Sequence, residues 1–410
     1  MPRVIADFHI HSRYSRATST QITVEELAKW GKIKGLTLIG TGDFTHPKWL
    51  EELKEALEEV PGTSLYAPKK TPGSKVLFMV TCEVSTVFEH AGKTKKIHHI
   101  LLTPSLEDAE LLREALSGYG DLGADGRPTL KVSASEFVER ILEVSPQTAV
   151  IPAHAWTPWF SLFGDKSGFD RLEECYGDMS SKIFALETGL SSDPPMNWRL
   201  SALDKYALVS NSDSHSFWPW RLGREANVFD LPKVTYGEVI DALRAKDPKR
   251  FRATIEVEPA YGKYHWTGHR ACGVSMPSEE AIRLGNLCPK CGKPLIIGVD
   301  QRVEELADRP KGYRPGGVVG YVHLLPLHEV VASVLGTSNP NGKEVWSMYN
   351  RLIQAFGNEL SVLLSAPYQK LVEEGGKALA RAILDLRLDQ VKVVPGYDGV
   401  YGHPVFKNLL

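Results

Sequence analysis

Residues 3–11, RVIADFHIH, run apolar and then place Asp7, His9 and His11 at alternate positions. In a strand, alternate side chains share one face, so three groups that favour metals leave the end of one strand in the same direction. A packed core gains nothing from that arrangement. The same form recurs down the chain: LTLIGTGD ends at Asp43, KVLFMVTCE at Glu83 and TAVIPAH at His154, KIHHILLT carries His98 and His99, KIFALET leads to Glu187, and ALVSNSDSH carries Asp213 and His215.

Between these runs lie segments of helical periodicity, among them TVEELAKWGKIKG, PKWLEELKEALEEV, SLEDAELLREALSGYG and SASEFVERILEVS, with start signals at Thr23 and Ser105. Strand followed by helix, repeated about seven times, predicts an α/β fold with a parallel sheet closed into a (β/α) barrel. Its chemistry would sit at the C-terminal strand ends. A doubly wound sheet fits less well, because parallel strands are usually apolar almost throughout.

A length of 410 residues with 42% hydrophobic content suits a large domain plus one or two small ones. The chain has no apolar stretch of membrane-spanning length, and the N-terminus MPRVIADFH lacks an export signal, so a cytoplasmic protein without a membrane partner is expected. Five cysteines, only Cys288 and Cys291 close together, argue against disulfides. The formal charge of −2 gives no global attraction to nucleic acid and leaves room for local basic patches.

Residues 233–251, KVTYGEVIDALRAKDPKRF, read as a helix with a basic exit. From YHWTGHRACG to LCPKCGKPL, residues 264–295, the texture changes to a small Cys/His module. After the joint RPKGYRPGG, Val345, Trp346, Tyr349, Leu352, Ile353, Phe356 and Leu360 fall at helical spacing, followed by Leu371, Leu379, Ile383 and Leu386. The expected division is a barrel over 1–255, a zinc-binding module over 256–315 and a mainly helical domain over 316–410.

Within the module, CPKCG at 288–292 is a knuckle turn whose cysteines chelate one ion, and HRACG at 269–273 repeats the spacing with His269 and Cys272. His269, Cys272, Cys288 and Cys291 leave no open position, which marks a structural zinc; His265 is within reach as an alternative to His269.

Imidazoles and carboxylates at several strand ends are the donor set for zinc, manganese or iron, and two close metals activate water beside a phosphate. The segments DFHIHS, TGDF, CEVS, HHILL, AHAW and SDSH, in this order over residues 1–230, resemble the motifs of the PHP (polymerase and histidinol phosphatase) metallophosphoesterases. That resemblance implies a distorted (β/α)7 barrel. It implies one metal on His9, His11, Glu83 and Asp213, with Glu83 bridging to a second on His99 and His154, and a third site at His215. Alternation leaves His98 and His99 as competitors. The chain departs from the family pattern at SRYSRA and at Phe44, where Asp43, Asp7 or His46 would compensate. Zinc is the expected barrel metal, with manganese or magnesium as alternatives.

The loops behind these groups are aromatic. AWTPWFSLF offers Trp156 and Trp159, and SFWPWRLGR offers Trp218, Trp220 and Arg221, as walls that stack on unpaired bases and hold phosphates. GKTKKIHH at 92–99 and RAKDPKRFR at 244–252 are further candidates for phosphate contact. The order of barrel, KYHWTGHRACGV, LCPKCGKPL, RVEELADRP and a tail ending PGYDGVYG resembles the endonuclease Q family over nearly the whole length. The resemblance implies cleavage of DNA on the 5′ side of deaminated bases and abasic sites. It implies damaged DNA as partner, and it brings Asp193, in ETGLSSDPPMN, near the metals as a catalytic residue beside Glu83, Asp213 and His215. A DNA sliding clamp is a candidate second partner, and a monomer is expected. The rivals are a histidinol-phosphatase-type phosphoesterase and an inert DNA-binding scaffold.

Overall fold

The computed structural model describes residues 1–406. Thr23 and Ser105 each accept a backbone N–H three residues on, from Glu26 at 3.2 Å and Asp108 at 3.0 Å, and the helices Val24–Lys34 and Leu106–Leu116 follow. The strand Arg3–Asp7 pairs in parallel with Leu38–Gly40, and that with Leu77–His90.

There the expected run of parallel strands breaks. Lys93–Thr103 lies antiparallel to both Leu77–His90 and Ala149–Pro152. Only Ala91 and Gly92 join the first two, both with positive φ (50° and 72°), and a two-residue turn of that conformation makes a hairpin whereas a parallel crossover needs a dozen residues or more. The histidine pair therefore sits partway along a long returning strand, His98 opposite Ser85 and His99 opposite Val84.

The strands Ala185–Glu187 and Ala207–Val209 pair in parallel. The Ala155 N–H donates to Glu187 O at 2.9 Å, and the bridge Ile10–Ser214 returns the chain to its first strand, His11 N–H donating to Ser214 O at 2.8 Å. Phe8, Leu38, Met79, Ile100, Ile151, Ala185 and Val209, one from each of these strands or its end, share one buried apolar cluster. Outside, Ala226–Asp230, Phe251–Glu256 and Gly320–His323 extend the sheet from Arg3–Asp7. The segment expected to be helical thus begins by adding a strand to the N-terminal sheet.

The helices Leu327–Val334, Lys343–Phe356, Glu359–Leu364 and Tyr368–Arg387 follow. They are fastened to the rest by a buried ion pair: Lys34 Nζ donates to Glu359 Oε1 at 2.8 Å and to Pro219 O at 2.7 Å, while Glu359 also accepts Tyr349 Oη–H at 2.9 Å and Leu327 N–H at 3.0 Å. No helix among the described residues is long and apolar enough to cross a membrane, and all five cysteines are free.

Two interior carboxylates face each other where Phe251–Glu256 passes Glu225. Burial pushes Glu256 up to about 7, and burial together with the Glu256 charge pushes Glu225 well above the usual range. A raised folded-state value means the protonated form is favoured in the native protein. The stability this group contributes is present below its ordinary value of 4.5 and is lost as pH rises through 7. Urea titrations should therefore find Glu256→Gln more stable than the parent by about 1–3 kcal/mol at pH 8, with the gap closing toward pH 4.5. A gap that does not vary with pH would contradict this reading.

Candidate metal centre

Two groups of ligating atoms meet at Glu83, and each takes a different oxygen of its carboxylate. Oε2 lies 3.3 Å from His9 Nε2 and 3.2 Å from His11 Nε2, with Asp213 Oδ1 3.1 Å from His11 Nε2 and 3.6 Å from His9 Nε2. Oε1 lies 2.8 Å from His98 Nδ1 and 3.0 Å from His154 Nε2. His9, His11, Glu83 and Asp213 form one possible metal group; Glu83, His98 and His154 form another.

The outer nitrogens of the imidazoles are already spoken for. His9 Nδ1–H donates to both oxygens of Glu187 at 3.1 Å, and Glu187 also accepts the His154 N–H at 2.7 Å. His11 Nδ1–H donates to Asp43 Oδ1 at 3.0 Å, and Asp43 Oδ2 accepts Ser12 N–H at 2.6 Å and the Ser15 hydroxyl at 2.8 Å. Carboxylates behind ligating imidazoles fix tautomer and ring direction. His9 Nε2, although buried, makes no hydrogen bond, which leaves its lone pair for a cation. Asp43, His154 and Asp213 all have positive φ (45°, 29° and 47°), a conformation that non-glycine residues hold only where surrounding contacts impose it.

The charge balance also calls for cations. Glu83, Asp213, Asp43 and Glu187 are gathered here, and Arg127, whose Nη1 is 3.0 Å from Glu83 Oε2, is among the described residues the one guanidinium paired with them. Burial opposes ionisation of Glu83, but the Arg127 guanidinium and the hydrogen bond from His11 outweigh it and hold the carboxyl well below the usual range. Asp213 is held down likewise, by His11, His9 and His215 against burial. Burial lowers His98 to about 4, so it presents a neutral ring suited to metal ligation.

Several expectations need correction. His99, the ligand that the family resemblance implies, faces the other way: its Nε2 meets the Thr86 hydroxyl at 2.9 Å, its Nδ1 meets the Tyr176 hydroxyl at 3.0 Å, and its ring packs on Phe137. Strand alternation sends one of the pair inward, and it is His98. Asp43 stands behind His11 and not among the inner atoms. His215 lies over the His11 ring at 4.4 Å with its Nδ1–H donating to Asp213 O, outside both groups. Asp7 binds Ser212 and Gly223, and His46 stacks on Tyr14. Asp193 accepts Met196 N–H at 2.9 Å, capping the short helix Pro194–Asn197, and its other oxygen faces His323 Nε2 at 3.2 Å, so it joins neither group. Trp156 is buried with its Nε1–H on Asn197 Oδ1, a core residue and not a wall.

A cavity of about 620 Å³ opens above the centre, with His154, Asp213 and His215 in its floor and Trp159, Trp220, Arg221, Arg224, Lys263, Tyr264 and Tyr401 in its walls. The stretches 92–99 and 244–252 do not line it; Arg250 and Arg252 pair with Glu238 and Asp230 instead. Arg127, Lys263, Tyr264 and Tyr401 escaped the sequence reading because each sits in an irregular segment with no periodic signal.

His269, Cys272, Cys288 and Cys291 converge as a separate group, with His269 Nδ1 3.5 Å from Cys291 Sγ; His265 lies outside it. Burial opposes the Cys288 thiolate, but the backbone N–H groups of Lys290 and Cys291 bring the thiol down to about 6. Gly292, at φ 70°, closes the knuckle with its N–H on Cys288 O at 2.8 Å. The donor set fits a structural zinc.

The family model of the MJ0043 C-terminal domain matches residues 326–390. The uncharacterized protein MJ0043 of Methanocaldococcus jannaschii is 34% identical over 262 residues, 62% of this chain and 32% of that protein, so the chain spans under half of that relative. The crystal structure of the lesion-specific endonuclease PfuEndoQ from Pyrococcus furiosus superposes with a TM-score of 0.87 at 34% identity, covering 100% of this chain and 96% of that one. An endonuclease Q bound to a 27-mer duplex with an abasic lesion at the active site superposes equally, TM-score 0.87 and 34% identity, covering 100% and 98%.

Proposed function

The chain belongs to the endonuclease Q family, and on that premise we propose that it is a metal-dependent DNA endonuclease acting on damaged DNA. It cuts the phosphodiester on the 5′ side of uracil, hypoxanthine, xanthine or an abasic site. Its N-terminal part works as a distorted (β/α)7 PHP barrel, and its Cys/His group carries a structural zinc. The observation that carries the proposal is the single carboxylate, Glu83, shared between two ligand groups beneath an aromatic and basic cavity.

His9, His11, Glu83 and Asp213 would hold one cation, and Glu83, His98 and His154 a second. Such ions, as zinc, manganese or magnesium, supply Lewis acidity and lower the pKa of water at neutral pH. The rest of the work falls to the chain itself. Glu187 and Asp43 keep the imidazoles aimed, and Arg127 offsets negative charge beside Glu83. A paired base cannot reach so buried a centre, so the target nucleotide leaves the duplex and lodges in the cavity, its base against Trp159, Tyr264 or Trp220 and its phosphates near Arg221, Arg224 and Lys263.

Labelled uracil-containing duplex, undamaged duplex and histidinol phosphate, each with and without chelator, test the reading. Chelator-sensitive nicking only beside uracil is expected. Turnover of histidinol phosphate instead would replace the reading with a small-molecule phosphoesterase, and DNA binding without any nicking would replace it with a scaffold.

A further inference from the structure

Four tryptophans from three separate parts of the chain line a second, widely open cavity, of about 420 Å³, that the metal chemistry does not use. Trp30 comes from the helix Val24–Lys34, Trp218 and Trp220 from the loop after Asp213, and Trp346 from the helix Lys343–Phe356; Asn341 and Asn350 complete the lining. The Trp218 and Trp220 rings stack at 5.2 Å and 4°, and Trp346 is tilted against that stack, 5.6 Å from Trp220 at 62°. Trp30 lies 4.9 Å from Trp218, with Lys29 Nζ 5.5 Å from its ring.

Two features argue that this is more than mortar between elements. Trp30 bonds its N–H to Glu26 at 3.0 Å, whereas the half-buried Trp218, Trp220 and Trp346 donate to nothing among the described residues, so their N–H groups face the open side of the cavity and would be covered by an occupant. An apolar partner would leave those donors and both asparagine amides without hydrogen bonds, which is costly. A ligand with flat aromatic faces and a polar edge satisfies both. Trp220 also lines the cavity over the metal centre, so one indole borders both cavities.

We propose that this cage binds an unpaired nucleobase of the same DNA strand, adjoining the nucleotide held over the metal centre. The inference rests on the endonuclease reading. The cage gives stacking faces, the asparagine amides meet the base edge, and strand continuity passes over Trp220. With two neighbouring bases held apart from the helix, the scissile phosphate is fixed from both sides.

Full-length protein, Trp346→Ala and Asn350→Asp are compared by anisotropy of a labelled, undamaged single-stranded DNA oligonucleotide and by KM for nicking of a uracil-containing duplex. Trp346→Ala is expected to weaken oligonucleotide binding roughly 5- to 100-fold, the loss of one base–aromatic stack, with a comparable rise in KM. Asn350→Asp, at an exposed position that does not threaten folding, shifts both in the same direction by charge repulsion. Parental binding and KM in both variants would overturn the proposal. If the parent nicks no DNA while the oligonucleotide still binds and both variants weaken it, the cage stands and the endonuclease reading falls.

Discussion

Glu83→Gln is expected to lower nicking by roughly 10³-fold or more and to strip metal from both barrel positions at once. The scale is that of losing several kcal/mol of charge stabilisation at the reacting phosphate. The physical reason is that each oxygen of Glu83 serves a different group of imidazoles. An amide offers one carbonyl oxygen and, on the other side, an N–H₂ that repels a cation. Glu187→Gln makes the contrast: it leaves all inner atoms present and only loosens the aim of His9, so a loss of roughly 10–100-fold is expected. Elemental analysis alongside a nicking assay reads both. Parental cleavage by the Glu83 variant would show that the bridge is not where the chemistry occurs.

On the proposed function, Cys288→Ser is expected to remove one zinc per chain and to unfold residues 264–298 while metal at the Glu83 centre is retained. The apolar cluster beside the cysteines consists of Val274, Met276, Ala281, Cys288 and Leu295, with Cys272 against it. So few side chains cannot offset the backbone entropy of a module this size, and a zinc ion bound there would supply the missing folding free energy, on the scale of ~10 kcal/mol for small zinc modules. New protease cleavage confined to that segment, with the zinc count lowered by one, is the expected pattern. A variant with unchanged zinc content and unchanged protease resistance would remove the structural zinc from the account.

Much of the candidate centre was legible because imidazoles and carboxylates at strand ends break an otherwise apolar pattern: His9, His11, Glu83, His154 and Asp213, which the fold brings together, each stand out that way, and so do the two Cys/His half-sites. What was not legible has a common cause. The direction of Lys93–Thr103 depended on a two-residue turn, Ala91–Gly92, whose conformation carries no periodic mark, and with it went the choice between His98 and His99. Asp193 fits the role of helix cap as well as that of a catalytic acid, and the sequence does not distinguish the two. Arg127 and the Lys263–Tyr264 wall reach the site from loops, where function depends on three-dimensional closure and not on spacing.

The Lys34–Glu359 pair has a consequence for dissection of the molecule. Cutting away the C-terminal helices would take the carboxylate from Lys34 and bare the apolar side chains that those helices cover, Trp30 against Trp346 among them. Evolution and the protein engineer meet the same obstacle here. The N-terminal half does not come away as a free-standing cassette: the face around position 34 would first have to be remade as exterior.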